Sequence, residues 1–155
     1  MATVTYDVTS KITQYKQPTS TSCATTCAGM CVNKSPTQLK NAGFDLDYAN
    51  WSGIASAYDY KVIPNDSASF ANVLSYVKQG YPVVIKIADA ETYGDTSDHW
   101  VVIVKFEGME INPQAANFTC ADPAKTTSSI LCTLTSATLF NTKIISHKIR
   151  VFTQS

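Results

Sequence analysis

Gly80 divides this chain into two kinds of pattern, and that division constrains the fold more than any other feature. Before it, Phe70, Val73, Leu74 and Val77 recur at helical spacing within a predicted helix from Ser67 to Gln79, with a Ser cap and Gly80 as terminator. After it come two apolar, β-branched runs, Tyr81–Ile87 and Trp100–Val104, separated by a polar loop from Asp89 to Asp98. Asn117–Ala121 and Lys143–Phe152 read as further strands. Upstream, Ser20, Thr21 or Ser22 is expected to cap a helix through Cys23–Cys31, rich in small and apolar residues. Ser35-Pro36 opens a second helix that Gly43 stops, and a third runs from Trp51 to about Tyr58. Residues 1–21 are polar and Thr-rich. Helices first and a mostly antiparallel sheet afterwards make an α+β arrangement.

The 155 residues suit one compact domain, expected to span 1–155, which buries about 70% of its unfolded surface. No repeat, charge run or Gly/Ser linker divides the chain. Twelve basic residues balance twelve acidic ones, and Arg150 is the single arginine, which argues against electrostatic capture of nucleic acid or an anionic membrane. No apolar run approaches the roughly 18 residues that span a bilayer. Met1–Asp7 lacks a basic region followed by an apolar stretch, so no classical signal peptide is expected. Charged residues make up 15% of the chain, against a usual figure of about 25%. Ser and Thr fill the gap, a composition that leans toward an extracellular or cell-wall-facing protein.

Any histidine chemistry must use His99 or His147, and any thiol chemistry one of five cysteines. Cys23 sits where a polar loop becomes a helix, and the positive end of a helix lowers a cysteine's pKa. His99 stands between the polar loop and the strand Trp100–Val104, at a strand mouth where a base can face a cleft. The alternative is plain: Cys23 is one of several small buried thiols and His99 a loop residue. Two further residues favour the chemical reading. Gln17 lies six positions before Cys23, near enough to join the Cys23 backbone N–H as a second donor to an oxyanion. Asp122-Pro123 follows a strand, where a carboxylate can hold the far nitrogen of His99.

These pieces, Gln17-x5-Cys23, Gly80-Tyr81-Pro82-Val83-Val84, Asp98-His99-Trp100-Val101-Val102 and Asp122-Pro123, resemble the papain-like cysteine peptidases. The similarity is greatest to the bacterial branch that includes the bacteriocin-leader-processing peptidases, and it covers about residues 14 to 125. It implies a papain-like fold in which a helical half, with the catalytic Cys at the start of the central helix, packs on the sheet. It also implies Cys23 as nucleophile, His99 as base and then acid, Asp122 as orienting residue and Gln17 as oxyanion donor. Cys23-Ala24 replaces the common Cys-Gly. Asn112-Pro113 is the alternative third member, with Asp122 preferred for its place after a strand. A cell-wall cysteine amidase family also pairs a helix-start Cys with a strand-start His, but it takes a second histidine, and Gln17 fits the papain-like pattern better.

The remaining residues have plainer readings. Cys23, Cys27 and Cys31 recur every four positions and drift by about 40° per step around one helix. Three ligands from one straight helix diverge too far for zinc, so Cys27 and Cys31 are read as core packing, with no metal and no cofactor expected. Cys120 and Cys132 form a disulfide only if they face each other across strands. His147 reads as a surface residue. Trp51 and Trp100 are candidate walls of a substrate groove, although Trp51 also suits packing of the helical half. Asp89, Glu91, Asp95 and Asp98 either favour a cationic substrate or form a solvated loop. The function expected is a monomeric thiol hydrolase acting on a peptide or isopeptide bond, with cell-wall peptides as one substrate class. Acyl transfer through the same residues and peptide binding without cleavage are the alternatives.

Overall fold

In the computed structural model, residues 2–63, 66–67, 69–88, 98–124, 131–133 and 149–154 are described. Helix α1 runs over Cys23–Val32, and everything in it from Thr25 onward is buried. A helix buried all round belongs in the middle of a domain. Gly29 lets the next segment approach closely, because a Cβ there would stand 2.4 Å from the Lys34 carbonyl oxygen. In α2 (Pro36–Asn41) Ser35 and Gln38 form a reciprocal capping box with Pro at the first turn, and Gly43, at φ 96°, follows the end. In α3 (Trp51–Ala57) the Asn50 side chain caps the Gly53 N–H. Helix α4 (Phe70–Lys78) starts three residues later than the sequence suggests: Ser69, not Ser67, caps it, while the Ser67 hydroxyl and carbonyl accept from the Asn72 amide.

Five strands, β1 (Val4–Asp7), β3 (Val83–Ala88), β4 (Asp98–Gly108), β5 (Phe118–Ala121) and β6 (Leu131–Thr133), form an antiparallel sheet around β4. Two more, β2 (Tyr60–Ile63) and β7 (Val151–Gln154), pair antiparallel as a separate ribbon. The molecule is thus α+β, with two corrections to the helices-first order. Residues 4–7, in the Thr-rich stretch, are a strand against residues 105–108, and β2 interrupts the helical half. Strand β3 begins only after Pro82, which has no N–H to give a ladder. Residues 143–148 of the last expected strand lie outside the described residues.

The run Val101–Val104 has no exposed surface on either face, nor have Val83–Ile85, so this part of the sheet is covered on both sides. Phe106 and Phe118 meet edge to face at 5.2 Å between centroids, and Phe70 of α4 stacks on Phe118. Packing α1 against β4 brings the start of the helix to the start of the long strand. Register does the rest: Val102 pairs with Ala121, so the residue after β5 falls beside the same end of β4. Among the described residues no helix is long and apolar enough to cross a membrane.

Candidate active site at the head of the central helix

Cys23 is the first residue of α1. The expected Ser/Thr cap is absent there: Ser22 holds the cap position, but its side chain makes no capping bond. Instead the Ser22 hydroxyl donates to the Thr19 carbonyl at 3.0 Å and accepts from the Thr19 N–H at 3.1 Å. Turned back in this way, Ser22 leaves the positive end of the helix to the neighbouring sulfur, which the Ala24 N–H reaches.

His99 and Asp122 are both buried, at 8% and 2% exposure. His99 Nε2 lies 2.7 Å from Asp122 Oδ1, and the same oxygen accepts the Ala124 N–H at 2.9 Å. The second bond is an Asx turn across Asp-Pro-Ala, which helps to hold the carboxylate against His99. With Nε2 engaged, Nδ1 is the ring nitrogen left for Cys23, and the imidazole does hydrogen-bond that sulfur. Asn112 lies beyond the other end of β4, with a positive φ of 55°. At about 3.3 Å per residue, that end is roughly 30 Å from His99.

Cys23 and His99 shift each other. Burial pushes the Cys23 thiol up, but the bond from His99, the Trp100 N–H, the imidazolium charge and the Ala24 N–H outweigh it, and its pKa is lowered. Burial pushes His99 down, yet the Asp122 and Cys23 bonds and charges overcome this and raise it to about 9. Both shifts favour a thiolate–imidazolium pair. The Trp100 donor is a backbone N–H, which no side-chain pattern in the sequence announces.

Gln17 is joined to the same corner through its backbone, whose N–H donates to the Pro123 carbonyl at 2.7 Å. Its Nε2 donates to the Thr19 carbonyl at 2.7 Å, which orients the amide and leaves the second N–H of that nitrogen available. Trp51 and Trp100 pack on one another, with centroids 5.0 Å apart, and the Arg150 guanidinium carbon sits 5.6 and 5.7 Å from the two rings. The two candidate groove walls therefore form one aromatic–cation cluster next to His99.

Cys27 and Cys31 do not join Cys23 in any ligand set, and among the described residues no three metal-ligating side chains converge. Both are buried in the core. Burial drives the Cys27 thiol well above its usual range and Cys31 up to about 12. His147, Asp89, Glu91 and Asp95 lie outside the described residues, as does the side chain of Asp98.

Comparison with known proteins places the fold and the family. A crystal structure from Bacillus anthracis described as a C39-like peptidase matches 96% of this chain and 98% of its own, with a TM-score of 0.64 and 14% sequence identity, which shows a shared fold. No curated protein sequence matches the chain. The model of the Peptidase_C39 like family matches residues 9–140, most of the chain and every element of the Cys23 corner. With that match over this fold, the chain belongs to the Peptidase_C39 like family, a branch of the papain-like cysteine peptidases.

Proposed function

We propose that the protein is a thiol hydrolase that cleaves a peptide or isopeptide bond through a covalent acyl-enzyme. The observation that carries this reading is the chain of contacts from Cys23 to His99 to Asp122, with the thiol lowered and the imidazole raised. The Cys23 thiolate attacks the carbonyl carbon, and the developing oxyanion is met by the Cys23 N–H and the second Gln17 Nε2–H. The C–N bond breaks as His99 Nδ1 gives its proton to the leaving amine. Water then attacks the thioester, His99 takes a water proton, and the released acid regenerates the thiolate. Asp122 holds the ring orientation and the imidazolium throughout without becoming protonated itself.

Single-turnover alkylation by iodoacetamide across pH tests the activated nucleophile. Cys23 of the wild type should react well below the ordinary thiol range, and His99→Ala should return it toward about 8.5. An ordinary titration in both proteins would defeat the reading. The substrate class we favour is a cell-wall peptide, for which the Ser/Thr-rich, charge-poor composition speaks. Incubation with purified sacculi should release new amino groups with wild type and none with Cys23→Ala. If sacculi are untouched while unrelated peptides are cut, the hydrolase stands and the wall assignment falls.

A further inference from the structure

Strands β5 and β6 set Cys120 directly opposite Cys132, with Thr119 opposite Thr133 and Ala121 opposite Leu131 on either side. On its other edge Cys120 pairs with Ile103 of β4, and its side chain is fully buried. Directly opposed residues of an antiparallel pair have Cα atoms about 4.5 or 5.5 Å apart. A disulfide needs Cα atoms about 4.4–6.8 Å apart, a separation that paired positions of neighbouring antiparallel strands meet.

We propose that Cys120 and Cys132 are an oxidative cross-linking site, whose disulfide ties β6 to the strand that leads into Asp122. The Cys23 chemistry uses neither thiol, so this inference stands apart from the proposed function. The bond closes the loop between residues 120 and 132 two positions before the buried carboxylate that holds His99. The oxidant is a small-molecule disulfide such as oxidised glutathione. One cysteine thiolate attacks it and expels a small thiol, and the second displaces the other small thiol. Two protein S–H bonds are lost, one S–S bond forms, and the small disulfide is reduced to two thiols. Because Cys120 is buried, the exchange takes place during folding or after β6 opens.

The test uses full-length Cys23→Ala, which removes the competing low-pKa thiol, refolded in oxidised or reduced glutathione and then alkylated in denaturant. The oxidised sample should lack the mass of two hydrogens and take label on Cys27 and Cys31 alone. Lys125 lies between the paired cysteines, so trypsin should leave them in two peptides held together until reduction. The oxidised protein should also melt roughly 5–10 °C above the reduced one, and adding Cys132→Ser should abolish that difference. Label on all four remaining thiols, or a bond joining any other pair or two chains, would overturn the proposal.

Discussion

Cys23 and Cys27 stand one turn apart on the same helix, yet their thiols move in opposite directions. Burial raises both. What separates them is the company at the head of α1, where the His99 imidazole and the N–H groups of Trp100 and Ala24 all meet the Cys23 sulfur. One turn on, the helix's own N–H groups are consumed by its ladder, and burial together with the negative charges of Cys23, Cys31 and Asp122 favours the protonated thiol, so Cys27 keeps its proton. A cysteine thus becomes a candidate nucleophile through its position at an element end, and the same residue type four positions later is core.

The harshest way to break this contrast is Cys23→Ala. It should lower kcat/KM at least ~10⁴-fold while shifting Tm by only a few degrees, as judged by peptide hydrolysis beside a thermal melt. Cys27→Ala should do the reverse: a rate within about twofold of wild type, and a Tm lower by roughly 2–4 °C for about 1 kcal/mol of lost packing. If Cys27→Ala also abolished turnover without unfolding the protein, the division of labour along α1 would be wrong.

The next largest effect is expected from the partners. Asp122→Asn should reduce kcat by about 10³–10⁴-fold with a small change in KM, because the amide favours the wrong histidine tautomer. The pH dependence follows from the two shifts. His99 is raised from 6.5 to about 9, so its charged form stabilises the fold fully below pH 6.5 and that contribution is lost as pH rises through about 9. Cys23 is lowered from 9.0, so its thiolate contributes above the ordinary thiol range and the contribution is lost as pH falls through the depressed value. Both charges coexist between those limits. Activity should trace a bell whose alkaline limb lies near 9, the two limbs belonging to the coupled pair. In Asp122→Asn the alkaline limb should move down. Stopped-flow pH–rate profiles read both.

Gln17→Ala should cost less, about 10²-fold in kcat, since one of two oxyanion donors survives in the backbone. Thermal stability should change little, because the bond from the Gln17 N–H to Pro123 belongs to the backbone and remains. A loss confined to KM would place Gln17 in substrate binding instead of transition-state stabilisation.

How much of this was legible in the sequence depended on whether a signal lay in side chains or in backbone. Cys23 and His99 could be found because each opens an element at a change of composition. Asp122 could be preferred over Asn112 because it follows a strand, and the Asx turn to Ala124 is the kind of bond that Asp-Pro favours. The Trp100 N–H had no signature, since every residue but proline carries that donor. Ser22 misled for a related reason: a hydroxyl before a helix satisfies either a cap or a turn back to Thr19, and only the packed loop decides. Strand β1 was hidden because its partner is a hundred residues away, Val4 against Gly108, and its alternation is written partly in Thr. The Trp51–Trp100–Arg150 cluster draws on three distant segments, which no local pattern connects.

Gly29 offers the gentlest test, because it touches the core end of α1 and leaves the head alone. A methyl at this position would stand 2.4 Å from the Lys34 carbonyl oxygen and 3.0 Å from Leu39 Cδ1. Leu39 is a side chain and can turn. The carbonyl is backbone, and its residue is held by the bond from the Lys34 N–H to the Gly29 carbonyl at 2.9 Å. Intrinsic helix propensity favours alanine by about 1 kcal/mol, while overpacking against fixed backbone costs about 1–3 kcal/mol, so crowding wins. Gly29→Ala should therefore lower Tm by a few degrees despite its better propensity. The alkylation rate of Cys23 should hold, since five residues of helix separate the two sites and the sulfur's donors, His99 and the N–H groups of Trp100 and Ala24, all stand at the head of α1. Were the substitution to slow Cys23 labelling as much as it lowers Tm, the two ends of α1 would be mechanically one unit, and the contrast between Cys23 and Cys27 would owe less to position than to the packing they share.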